Sequence, residues 1–230
     1  MPTISQDAPY WTRVEPPGPI NLASVDLSDS QILDLIDRAR ALKRRQPGFV
    51  RLPLTLRRRT GTESVHIDLV HPVHVLADLL TMSEHSERPF EQIAFCCVGD
   101  GSADLMASML LAGAALGMDV RIAALETSWP TATIAAARKL AATSGARLLI
   151  TSDTRRGTAG ADFVVTIPRA QSVATTVIRP GDATDALSGS TWSWAHEQAL
   201  NRAWVMDAVL ADWLGAAPDQ LWSTPADDNN

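Results

Sequence analysis

The stretch 93-IAFCCVGDGSADLMASMLLAGAALGMDVRIAAL-125 decides the fold. A continuous apolar run over 93–100 closes on a Gly-Asp-Gly turn, an Ala/Leu/Met-rich helix follows over 103–117, and a second apolar run covers 120–125. An apolar run without polar alternation marks a strand covered on both faces, as in a parallel sheet. The pattern then repeats. A helix is expected over 131-TATIAAARKLAATSG-145, a strand over 146-ARLLITSD-153, a short turn-rich helix, and a strand over 162-DFVVTI-167. Strands alternating with helices predict an α/β fold: a doubly wound parallel sheet with four recognisable strands and right-handed crossovers. In such a sheet the ligand crevice lies at the carboxyl ends of the strands.

Outside this unit the pattern changes. Residues 1–20 carry Pro2, Pro9, Pro16, Pro17 and Pro19, which predicts an extended arm. Ser28 or Asp29 can cap a helix through 30-SQILDLIDRARALKRR-45, whose basic end suits the helix dipole. The alternation over 49-FVRLPLTLRRRTGTESVHIDLV-70, broken by a polar TGTE turn, predicts a β-hairpin. The segment 168–190 is loop-like, and an amphipathic helix is expected over 194–215. The polar tail, 217–230, is expected to be disordered.

Composition bounds the partners. The 230 residues carry a net charge of −6 and no long basic block, which argues against nucleic acid. No apolar run approaches the roughly 20 residues of a membrane helix, and the first residues lack the pattern of a secretory signal. Cys96 and Cys97 are adjacent, so on a strand they point to opposite faces and make a poor disulfide or metal clamp. A reducing cytoplasm fits these features.

Five segments, in order, resemble the aspartate/ornithine carbamoyltransferase family, most closely its ornithine carbamoyltransferases. The stretch 71-HPVHVLADLLTMSEH-85 is similar to the family's H-P-x-Q-x-L-A-D-L-L-T-x-x-E-H. VGDGSADLMASMLLAGAALGMDVRIA resembles its G-D-G loop, small-residue helix and L-G-M-D-V-R strand. TSD with GADFVVT resembles its last strands, 198-QALNRAWVMDAVL-210 its Q-A-E-N-R helix, and 26-DLSDSQILDLIDRARALK-43 its first helix. The resemblance covers roughly residues 22–45, 70–167 and 194–215. It implies that His71 and Arg202 correspond to residues that meet the carbamoyl ligand.

The departures are as informative. The family's S-T-R-T-R phosphate clamp is absent, and the interval between the first helix and His71 is too short for that domain's sheet. Arg57-Arg58-Arg59 with Thr60 is either a substitute anion site or a solvated strand end. The family's Asn-Asn is Ala103-Asp104, its H-P-x-Q glutamine is His74, 167-IPRAQSV-173 stands where D-x-W-x-S-M-G would, and H-C-L-P is missing. A carbamoyl transfer needs a site that neutralises phosphate and polarises a carbonyl. These losses predict that the chain is not a working ornithine carbamoyltransferase.

The candidate site follows. His71 and His74 lie at helical spacing and admit three readings: metal ligands, an acid/base or hydrogen-bonding pair, or a helix start with structural bonds only. Two histidines do not make a metal site, and His85 lies about three turns beyond His74. His71, His74 and Asp104 are the candidate catalytic residues; Arg202, Gly99, Asp100, Gly101 and Ser102 are the candidate substrate-binding residues. The glycines of the loop either leave backbone amides to hold an anion or simply allow a tight turn. Asp104 either serves a ligand or complements the helix dipole. No metal or cofactor is expected.

The organisation expected is an arm over 1–20, a Rossmann-like amino-acid-type domain over 86–178, and a tail over 217–230. A reduced second lobe of terminal helices plus the hairpin takes 21–85 and 191–216. Two functions remain open. One is a repurposed enzyme that binds a small anionic or amino-acid-like ligand between the lobes, in specialised metabolism. The other is a non-catalytic metabolite-binding or assembly subunit. Either would form a homo-oligomer or a complex with a related protein.

Overall fold

The computed structural model describes residues 27–45, 57–60, 63–66, 70–99, 104–124, 131–167, 176–178 and 194–214. Helix α1 spans Asp29–Arg45. Ser28 caps it: the Gln31 N–H donates to Ser28 Oγ at 3.3 Å, and the Ser28 N–H donates to Gln31 Oε1 at 2.9 Å. This reciprocal box satisfies amides that the first turn leaves open. Its buried stripe is Ile32, Leu35, Ile36, Ala39 and Leu42. Strands β1 (Arg57–Thr60) and β2 (Glu63–His66) pair antiparallel, with Arg57 opposite His66. The expected hairpin is present over these residues, and residues 49–56 and 67–69 of the predicted stretch lie outside those described.

Helix α2 (Val70–Ser86) leads through a 3-10 turn at Phe90–Gln92 into β3 (Ala94–Gly99). Then follow α3 (Asp104–Ala115), β4 (Asp119–Ala124), α4 (Thr131–Ser144), β5 (Arg147–Thr151), α5 (Thr154–Thr158) and β6 (Phe163–Ile167). A further strand, β7 (Thr176–Ile178), precedes α6 (Ala195–Leu214). The strand order is β5-β4-β3-β6-β7. The first four are parallel, as expected, and the register pairs Cys97 with Ile122 on one side and Val165 on the other.

β7 corrects the expectation of a loop over 168–190. It pairs antiparallel with β6, Val165 opposite Val177. Residues 168–175 are too few for the crossover of a dozen or more residues that a parallel return needs, so the chain can only double back.

The two faces of the sheet are built differently. Phe95, Cys97, Val120, Ile122, Phe163 and Val165 join α1, α2, α3 and α6 in one continuous core. Gly113 lets α3 approach that face: a Cβ there would lie 2.6 Å from Val120 Cγ2 and 2.8 Å from the Phe95 ring. On the other face Cys96, Ala123 and Ala161 form a small separate cluster beneath α5. The adjacent cysteines thus point opposite ways, and both are free and buried. With α3 on one face and α5 on the other, winding reverses between β3 and β6. In sheets of this class such a reversal is where a ligand crevice is expected, at the carboxyl ends of the strands.

An ionic cluster closes the opposite end. Asp119 accepts from Arg121 Nε at 3.1 Å and Arg147 Nη2 at 2.9 Å, and Arg88 pairs with Asp162 at 2.5 Å.

Candidate functional site

The middle of helix α2 has almost no solvent face. Val73, Val75, Leu76, Ala77, Leu79, Leu80 and Met82 are buried, and so are the polar Asp78 and Thr81. Buried polar groups need partners, and α6 supplies them. Gln198 Nε2 donates to Asp78 Oδ1 at 2.6 Å. Gln198 Oε1 accepts the Val177 N–H of β7 at 3.0 Å, and the Val177 carbonyl accepts the Trp194 N–H at 3.1 Å. The α6 start therefore covers the edge of β7.

A second node lies one turn along. Asn201 Nδ2 donates to Thr81 Oγ1 at 3.0 Å and to Glu84 Oε2 at 2.9 Å. Lys43 Nζ joins Glu84 at 2.8 Å and Asn201 Oδ1 at 2.9 Å, which ties α1 to both helices. His85 Nε2 meets Glu197 Oε2 at 2.5 Å, and its ring stacks on Trp194 with centroids 4.5 Å apart. The third histidine is thus engaged between helices.

Arg202 stands apart from these nodes. It lies four residues after Gln198, on the same face of α6. It is half-buried, and its buried Nε has no hydrogen-bond partner among the described residues. Burial pulls the guanidinium below its usual range, and the negative charge of Asp78 pushes it back. Asp78 also acts on Cys97 of β3, whose thiol is pushed well up, mainly by burial. Asp78 therefore lies within electrostatic reach of both Arg202 and Cys97.

The other candidates are placed unevenly. His74 is half-buried, one turn before Asp78 on α2. His71 is the second residue of α2, and its side chain lies outside the described residues. Asp104 is exposed in the first turn of α3, where its charge suits the helix dipole. Gly99 ends β3 at φ +148, where a Cβ would lie 2.0 Å from the Ile167 carbonyl oxygen. Asp100, Gly101 and Ser102 lie outside the described residues. Among the described residues no three His, Cys, Asp or Glu side chains are grouped to hold a metal.

The buried partners Asp78, Thr81, Gln198 and Asn201 escaped the sequence reading. Their signal was present: polar residues three apart on one face of otherwise apolar helices. Trp204 is buried in the core, and Trp194 packs on His85 and tilts over Phe163 at 5.5 Å. The side chains of Trp192 and Trp213 lie outside the description. Among the described residues no helix is long and apolar enough to cross a membrane.

Comparison with known proteins adds a family. Residues 91–175 match the model for "Aspartate/ornithine carbamoyltransferase, Asp/Orn binding domain". An ornithine carbamoyltransferase of Neisseria cinerea is 47% identical over 97 residues, which is 42% of this chain and 37% of that protein. A catabolic ornithine carbamoyltransferase of Burkholderia mallei is 46% identical over 100 residues, 43% of this chain and 30% of its own. The match thus spans well under half of either relative. Two solved structures share the fold. The anabolic ornithine carbamoyltransferase of Campylobacter jejuni aligns with a TM-score of 0.61 at 16% identity, covering 87% of this chain and 98% of its own. That of Gloeobacter violaceus aligns at 0.59 and 18% identity, covering 84% and 98%.

Proposed function

Because residues 91–175 carry the Asp/Orn-binding domain of the aspartate/ornithine carbamoyltransferase family, we propose that the chain keeps that family's ligand crevice for another purpose. It binds a small anionic or amino-acid-like ligand and does not make citrulline. The crevice opens at the carboxyl ends of β3 and β6, with Arg202 as its anchor and His71, His74 and Asp104 as further polar groups. Gly99, at the carboxyl end of β3, borders it.

One observation carries the proposal. A half-buried guanidinium whose buried Nε–H has no partner among the described residues is a donor that a ligand oxygen would complete. The neighbouring helix network leaves Arg202 out while satisfying Gln198 and Asn201 on either side of the same turn. Arginine suits carboxylate or carbonyl recognition because its N–H fork is planar and pre-oriented. A histidine pair beside it would supply proton transfer near neutral pH.

The exposure of Asp104 favours a second reading, that of a non-catalytic metabolite-binding or assembly subunit. There the carboxylate would only complement the α3 dipole.

The test is thermal stabilisation of the purified chain by carbamoyl phosphate, phosphate, ornithine and other amino acids. The account expects an upward shift from at least one carboxylate ligand, abolished in Arg202→Ala and reduced in His71→Ala. A ligand shift that both substitutions leave intact would remove the crevice from the account.

A further inference from the structure

The two edges of the sheet are finished differently. At β7 the start of α6 closes the edge: the Val177 N–H donates to Gln198, and its carbonyl accepts from Trp194. β5 is the other edge, and among the described residues only β4 pairs with it. The Arg147 N–H donates inward, to the Met118 carbonyl at 3.0 Å. Backbone direction alternates along a strand, so Leu148 and Ile150 turn their N–H and C=O groups outward. Sheet edges are usually blunted by a lysine, a proline or a bulge. The centre of β5, Leu148-Leu149-Ile150, has none of these, is half-buried, and keeps unbroken register with β4. Beside it lies a cleft of about 260 Å³, lined by Ile134, Ala137 and Arg138 of α4 and by Leu148, Leu149 and Ile150. Small-molecule sites run from roughly 300 to 1,000 Å³, so this cleft suits a side chain better than a whole ligand.

The charge around this edge runs against that of the chain. Residues 131–161 carry Arg138, Lys139, Arg147, Arg155 and Arg156 against Asp153 alone, in a chain of net charge −6. Arg147 is already held by Asp119 at 2.9 Å. Arg138, Lys139, Arg155 and Arg156 are exposed and make no ion pair among the described residues. We propose that the β5 edge is a docking surface for an extended acidic peptide segment of a partner protein, which adds a strand to the sheet. The outward N–H and C=O groups of Leu148 and Ile150 supply main-chain hydrogen bonds. The α4–β5 cleft takes one apolar side chain, and the free cations select the acidic flanks. A second copy of β5 fits less well, because self-pairing would bring the same cations together.

The experiment is fluorescence anisotropy of three dye-labelled synthetic peptides titrated with the full chain at fixed ionic strength. They are the acidic DEVLVED, the basic KKVLVKK, and DEVLVED N-methylated at alternate residues, which keeps its charge and side chains but cannot complete a strand ladder. Saturable binding is expected for DEVLVED alone. The double variant Arg138→Glu, Lys139→Glu is expected to weaken it about tenfold or more, because attraction at the rim becomes repulsion. Both substitutions are at exposed positions, and circular dichroism checks that the fold is kept. Equal binding of the N-methylated peptide would reduce the contact to charge alone and overturn strand addition. Equal binding of KKVLVKK, or an unchanged affinity in the double variant, would overturn the role of the cations. Failure of DEVLVED to bind overturns the proposal outright, and the peptide comparison decides even if the double variant does not fold. Sedimentation of the chain alone then identifies the competing occupant: a dimer lost in Leu149→Lys would assign the edge to a second copy.

Discussion

Gly99 shows how much a single backbone position constrains the crevice. Its φ of +148 and the 2.0 Å that would separate a Cβ from the Ile167 oxygen leave no room for a side chain. Gly99→Ala should destabilise by about 1–3 kcal/mol from backbone strain, with the clash added, as measured by urea unfolding. Gln198 is the opposite case, a side chain that cannot be removed. Gln198→Ala would remove one hydrogen bond from the buried Asp78 carboxylate and the one that the Val177 N–H makes to Gln198. The expected loss is about 3 kcal/mol, near the upper end for orphaned buried polar groups. The cysteines yield a third expectation. Burial pushes the Cys96 thiol up to about 12 from 9.0. The folded state holds this proton more tightly, so its contribution is complete below pH 9 and is lost as pH rises toward 12. At pH 8 neither thiol should react with a thiol-specific reagent until the chain is unfolded. Prompt native labelling would contradict the burial of both faces of β3. Sequence alone set these two side chains on opposite faces, because parity along a strand needs no tertiary information. It could not show that Asp78 and Gln198 meet, because that contact joins helices far apart in the chain.

Among the elements, the four parallel strands and their helices were legible because each apolar run is long, continuous and punctuated by glycine or polar turns. The first-helix cap was legible too. Ser28→Ala should cost about 1 kcal/mol by removing the box with Gln31, checked by thermal unfolding. β7 was not legible. Three residues give no periodicity, and Thr176-Val177-Ile178 becomes a strand only because β6 offers an edge and α6 covers the other side. Amide exchange provides the check: the Val177 N–H should be protected to the level of the α2–α6 contact. In Gln198→Ala that protection should fall while β3 amides keep theirs. The hairpin was legible too, since alternation broken by a polar turn signals two paired strands.

The molecule joins a segment that matches a family domain model, residues 91–175, to helices that share its core. The terminal helices were expected to form a lobe of their own with the hairpin. That division, 21–85 with 191–216 against 86–178, remains our proposal, and the continuous core from Ile32 through Phe95 to Val205 is where a stability test should act. If the helices and the sheet unfold as one unit, circular dichroism and tryptophan fluorescence should give coincident transitions. The candidate site was only partly legible. Arg202 and His74 were singled out through the resemblance and stand half-buried, whereas Asp104 is exposed. The central claim is that the chain keeps a family crevice without carbamoyl transfer. The most direct test is to incubate the purified full chain with carbamoyl phosphate and ornithine and measure citrulline. The account predicts none above the protein-free background, and sustained turnover proportional to protein concentration would contradict it.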